Sequence, residues 1–252
     1  MSDLIENVTK NVIFLLEFIA VVAALFVVAY FAEKLAQKKA GVKEKIFTTK
    51  KIAMIGMFSA IASILMLFEF QVPFAPFFYK LDFSELPVLI GTYAFGPVAG
   101  VMIEFCKIFL KLLFKSTSTA FVGELANFAV GCSFIIPASI IYLFKKTKTN
   151  ALVGSAVGTI CMTIFGTAFN GIYLLPKFSQ LFGMPLEELI ALGTDITPYI
   201  TDITSFVIMA VAPLNLIKGT AVSAITLLVY KKLSLILKAD GYYVKAKKSV
   251  NA

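Results

Sequence analysis

Histidine, arginine and tryptophan are absent from these 252 residues, and cysteine occurs only three times. Without histidine there is no imidazole to serve as general base or metal ligand, which excludes His-dependent catalysis. Cys106, Cys132 and Cys161 fall singly inside apolar stretches. They read as small core hydrophobes, with neither a disulfide frame nor a metal site. No GxxxxGK[ST] occurs, so the chain does not hydrolyse ATP by the P-loop route. Charge is scarce as well: 15% of residues carry it, against about a quarter in an ordinary soluble domain.

What is present is apolar. Hydrophobic residues make up 59% of the chain and the mean hydropathy is +0.90. Several runs reach the roughly 20 residues a helix needs to cross a bilayer core. The expected class is therefore an all-α, polytopic membrane protein built as one helical bundle. The formal charge of +8 comes wholly from lysine, clustered at Lys34–Lys51, Lys145–Lys148 and Lys231–Lys248. Basic loops beside apolar spans carry the positive-inside signal, which assigns all three to the cytoplasm. That distribution accounts for the charge without nucleic acid.

The first run, "NVIFLLEFIAVVAALFVVAYFA" (11–32), is too long for a signal-peptide core, and all but Lys10 of the lysines near it follow it. It is expected to be a retained helix with its amino terminus outside. Its Glu17 is costly in lipid and is expected to face another helix or the outer interface. A basic linker (34–51) leads to a span at 52–70, then to an aromatic outer loop, "QVPFAPFFYK". In "LDFSELPVLIG", Ser84, Glu85 and Pro87 suit a helix start as cap, dipole partner and early proline. No charge follows Glu85 until Glu104, and "FGP" at 95–97 divides that stretch into two short helices. Further helices are expected at 123–144, 151–175 and 201–230. The glycines of the 151–175 helix (Gly154, Gly158, Gly166, Gly171) permit close helix contact. Seven helical segments result, with an acidic outer loop near 176–202 and a basic tail at 236–252.

Polar groups inside spans are expensive and therefore candidates for function. Glu124 and Asn127 share a helix face in "GELANF"; Asn170 lies in "TAFNGIY"; Asn215 and Lys218 stand three apart in "APLNLIKGT". Glu104, Lys107 and Lys111 line one stripe, where Glu104 can neutralise Lys107, and Glu124 can cap its own helix. Asparagine donates and accepts and lysine offers three donors, a set that suits a flat, uncharged heterocycle with imide or ring-nitrogen edges.

"LDFSELPVLIG", "FGPVAG", "GELANF" and "PLNLIKG", in that order and spacing, resemble the riboflavin-specific S components (RibU type) of energy-coupling factor (ECF) transporters. The resemblance covers about residues 50–235. It implies a six-helix substrate-binding module (52–235), to which the first helix (1–33) is an addition, in a bacterial cell membrane with the carboxyl terminus cytoplasmic. It implies a riboflavin site near the outer face formed by Leu81, Asp82 and Phe83, then Glu124 and Asn127, Asn170, Asn215 and Lys218. It also implies no cofactor beyond the transported vitamin, and partnership with a transmembrane coupling protein and two ATP-binding subunits. The coupling protein would dock at a small-residue pair, here Gly56 and Ala60. Binding of another vitamin or a flavin nucleotide stays open, as does a membrane enzyme on lipid-linked substrates with Glu104 or Glu124 as base. A structural subunit without a ligand is the remaining alternative.

Overall fold

The computed structural model describes residues 12–39 and 45–238, with side chains described up to 229. Most of the basic tail (239–252) and the middle of the linker (40–44) lie outside the described residues. The long helices are α1 (Val12–Lys39), α2 (Thr49–Leu67), α3 (Glu85–Phe95), α4 (Pro97–Phe114), α5 (Val122–Phe144) and α6 (Lys148–Phe169). A π turn, Asn170–Leu174, carries α6 without a break into α7 (Leu175–Phe182), and α8 (Leu186–Thr194) follows. Helix α9 (Ile203–Phe206) passes through a second π turn, Val207–Val211, into α10 (Ala212–Lys238). Five of these runs are long and apolar enough to cross a membrane. Helix α4 has suitable length but carries Glu104, Lys107 and Lys111, whose partners are described below.

Several boundaries differ from the sequence expectation. Helix α1 continues to Lys39, into the expected linker. Residues 176–202 hold two short amphipathic helices where a loop was expected. Among the described residues the all-α reading holds except for one antiparallel pair, β1 (Phe70–Gln71) with β2 (Lys80–Leu81), Phe70 opposite Leu81. That pair closes the aromatic loop into a hairpin, a device invisible to helical periodicity.

The bundle has two poles. The lysine pole gathers the carboxyl end of α1, the starts of α2 and α6 and the α3–α4 turn. There Thr48 and Thr147 cap α2 and α6 by accepting from Lys51 N and Asn150 N, each at 3.2 Å, and so satisfy helix-end donors. The loop pole carries the hairpin, residues 115–121 and α7–α8. At that end Glu69 ties the hairpin to the end of α4 by accepting from Lys80 (2.8 Å) and Lys115 (2.7 Å).

Helix α6 packs against α5 and α10. Its Gly154 and Gly158 lie so near α5 that an added β-carbon would stand 2.6 Å from Ala138 O or 2.5 Å from Phe134 O. Such close backbone approach is what small residues permit in lipid. Gly96, between α3 and α4, has φ +98, a conformation open to glycine at little cost. The Glu33 carboxylate of α1 fills the space beside it and accepts from Val98 N at 3.1 Å. A carboxylate from another helix thus caps the positive end of α4.

Candidate functional site

The site begins at the hairpin. Leu81 and Asp82 are buried, and Phe83 is half-buried beside the Phe70 ring (centroids 6.2 Å apart). Ser84 does not cap α3 through its side chain as the sequence suggested. Instead Asp82 Oδ1 accepts from Ser84 N at 2.7 Å, and the Ser84 hydroxyl accepts from Lys107 Nζ at 3.1 Å. The reason is position. The start of α3 lies inside the bundle, where charged groups need partners from other helices.

Those partners form one buried cluster. Lys107 of α4 stands 2.7 Å from Glu85 and 2.8 Å from Glu104. Lys218 of α10 stands 3.2 Å from Asp82 and 3.5 Å from Glu85. Glu104 neutralises Lys107 as expected from the sequence, but Glu85 shares that role. One Glu85 oxygen, Oε2, has no hydrogen-bond partner among the described residues. At Asp82, in the turn before α3, burial opposes ionisation, yet the ammonium groups of Lys218 and Lys107 outweigh it and hold the carboxyl below its ordinary range.

One turn before Lys218 lies Asn215, and its amide meets α6. A β-carbon on Gly166 would stand 2.5 Å from Asn215 Nδ2. Asn170 converges on the same residue, donating from Nδ2 to Gly166 O at 2.7 Å. Its Oδ1 accepts from the buried Tyr79 hydroxyl at 2.8 Å. Asn170 opens the first π turn, and such turns are frequent at functional sites. Tyr79 and Asn170 are thus joined by a hydrogen bond, Asn215 lies against Gly166, and Lys218, one turn along α10 from Asn215, pairs with Asp82.

Glu124 stands apart from these residues. Its Oε2 accepts from the hydroxyls of Thr117 (2.9 Å) and Thr119 (3.1 Å), and its Oε1 from Lys111 (3.2 Å). Those threonines in turn accept from Phe121 N and Gly123 N, both at 3.1 Å. They hold a turn in which Ala120 and Phe121 have φ of 47 and 69, a left-handed conformation that costs non-glycine residues of order 1–3 kcal/mol. Glu124 thus anchors the entry to α5 rather than capping that helix directly. Asn127 lies one turn further along α5 and is half-buried.

A groove of about 610 Å³ runs beside the two π turns, lined among others by Thr163, Ile172, Thr204 and Ile208. None of the expected site residues lines it. Gly56 and Ala60 sit exposed on α2, and a β-carbon on Gly56 would meet nothing within 4 Å.

Sequence reasoning missed Tyr79, Glu85 and Gly166. From the sequence Tyr79 belongs to an aromatic loop able to cover an apolar ring, and Glu85 is a helix-start charge bordering a pocket entrance; neither is named there as a contact. For Gly166 the signal was its place among the spaced glycines of α6, which names a helix face but not the side chain it meets.

A family model described as "ECF transporter, substrate-specific component" matches residues 50–230, from the start of α2 into α10. The chain belongs to this family. As an ECF substrate-specific component it is a multi-pass membrane protein and a transport subunit, not an enzyme. It is 34% identical over 189 residues to "Riboflavin transporter RibU" of Staphylococcus aureus (strain TCH60), covering 75% of this chain and 93% of that protein. It is 33% identical over 187 residues to "Riboflavin transporter FmnP" of Bacillus subtilis (strain 168), covering 73% and 92%. A solved structure of the S component of a bacterial ECF transporter matches with a TM-score of 0.58 at 33% identity, covering 75% of this chain and 98% of that one.

Proposed function

We propose that this ECF component binds riboflavin and delivers it for uptake, together with a transmembrane coupling protein and two ATP-binding subunits. The observation that carries the reading is the convergence of Asn170 and Asn215 on Gly166, one helical turn from the Lys218–Asp82 pair. Carboxamides that both donate and accept complement the imide edge of an isoalloxazine ring, and Lys218 supplies a further donor. The loop pole is then the outer face and the lysine pole the cytoplasmic one, with the amino terminus outside and the carboxyl terminus inside. The module spans 52–235, preceded by the added helix. Leu81, Phe83 and Asn127 complete the contact set, with Glu124 setting the turn beside it.

Charge favours the uncharged vitamin over its phosphorylated forms. Lys218 is already faced by Asp82 and Glu85, and a phosphate brought there would meet two carboxylates. The test is quenching of riboflavin fluorescence by the purified chain at sub-micromolar concentration, with flavin mononucleotide as competitor. Asn215→Ala should weaken binding by roughly tenfold or more, as losing a buried hydrogen-bonding group does, while expression and the unfolding temperature stay near those of the parent. Unaltered affinity in Asn215→Ala would remove this amide from the site, and absence of quenching by the parent would remove riboflavin.

Gly56 and Ala60 present an open small-residue face on α2, which suits close docking of a transmembrane helix. Gly56→Leu should leave riboflavin binding and thermal unfolding unchanged but lower uptake in cells that carry the coupling protein and ATPases. Normal uptake by that variant would rule this face out as the docking surface.

A further inference from the structure

Helix α1 lies outside the span shared with the family, residues 50–230. The match to the solved S component takes in 98% of that chain but 75% of this one. Its two acidic residues within the described span sit near opposite ends. Glu33 caps α4 at the lysine pole by accepting from Val98 N. Glu17 meets the segment that closes the loop pole.

The Glu17 carboxylate accepts from the Tyr173 hydroxyl, and Lys177 Nζ lies 3.7 Å away from it. The same ammonium stands 5.0 Å from the Phe14 ring centroid and 5.6 Å from that of Tyr173. Tyr173 belongs to the π turn that opens with Asn170, and Lys177 belongs to α7. Next to Lys177, Phe178 packs on Phe78 of the hairpin loop at 5.5 Å, and Phe182 adds a second contact at 6.4 Å. Tyr79, adjacent to Phe78, donates to Asn170. The contacts make a closed ring at the loop pole, above Asn170: α1 to α7, α7 to the hairpin loop, and the loop back to the π turn.

For a ligand to reach Asn170 from this pole, α7 and the hairpin loop must part. Helix α1 is held at the far pole by Glu33, so Glu17 is a fixed point against which α7 rests. We infer that Glu17 is a positioning residue of the site: through Tyr173 and Lys177 it latches α7 at the loop pole and slows passage of ligand in both directions. A latch of this kind stabilises the closed arrangement whether or not the site is filled. Its loss therefore accelerates entry and exit together and leaves the dissociation constant nearly unchanged. A general loosening of the fold would instead raise that constant.

The experiment uses the full chain in lipid nanodiscs, with Glu17→Ala, Tyr173→Phe, Glu17→Gln and, as a control on the exposed side of α1, Leu16→Ala. Amide hydrogen exchange across residues 175–194, without ligand, reads the latch independently of what the site binds. Stopped-flow riboflavin fluorescence reads both rate constants and rests on the riboflavin reading. The expected result is faster exchange in this segment for Glu17→Ala and Tyr173→Phe, with association and dissociation both rising roughly three- to tenfold, as for the loss of one hydrogen bond. Glu17→Gln, which still accepts from Tyr173, should recover much of the effect, and Leu16→Ala should match the parent. Exchange in 175–194 that is the same in Glu17→Ala and the parent overturns the proposal. If the parent binds no riboflavin, the functional reading fails while the exchange measurement still decides the latch.

Discussion

Lys107→Met is expected to lower the unfolding midpoint in detergent by roughly 10 °C, the equivalent of about 3–5 kcal/mol for a broken buried ion pair at about 2–4 °C per kcal/mol. Lys107 is fully enclosed and is the only cation within 3 Å of either Glu85 or Glu104 among the described residues. Methionine fills a similar volume, so the effect reports charge rather than a cavity. Removing the ammonium leaves two carboxylates buried together, with Lys218 at 3.5 Å from one of them. A triple variant, Glu85→Gln, Lys107→Met and Glu104→Gln, should recover most of the loss, because deleting a whole buried ionic group costs far less than orphaning one partner. A single Lys107→Met chain as stable as the parent would show that this ammonium does not hold α3 against α4.

The second large effect is expected at Gly166. An alanine there places a methyl group 2.5 Å from Asn215 Nδ2, well inside contact distance, and the amide must turn away. Asn170 also bonds to the Gly166 carbonyl, so both asparagines move relative to one another. Riboflavin affinity should fall by roughly 10- to 100-fold, corresponding to about 1–3 kcal/mol for buried groups left unpaired. The unfolding midpoint should change much less, since a single amide turns aside and no apolar core side chain is lost. Titration of riboflavin fluorescence on Gly166→Ala, beside its thermal melt, separates the two. Retained affinity would mean that the asparagines do not act as a pair.

Much of this was legible in the residues. The apolar runs fixed where helices cross, because a bilayer demands length and internal hydrogen bonding, and both are local properties. The "FGP" break between α3 and α4 and the spaced glycines of α6 followed from chain chemistry in the same way. The motif set pointed to the family that residues 50–230 match. Less legible were the partners of the charges. Glu85 looked like a helix-start residue and is a buried ion-pair member; Glu124 looked like a cap and organises a strained threonine turn. Tyr79 carried no signal beyond its loop.

Sequence alone determined that this protein lives in a membrane, roughly where its long helices run, and which transport family it resembles. Only the tertiary structure decided which carboxylate meets which lysine, that Asn170 and Asn215 share Gly166, and that α1 touches both poles of the bundle. The division has a physical cause. Transfer into lipid and helix formation sum over neighbours along the chain, whereas a buried charge is satisfied by whatever lies across the bundle, here as far apart as Asp82 and Lys218.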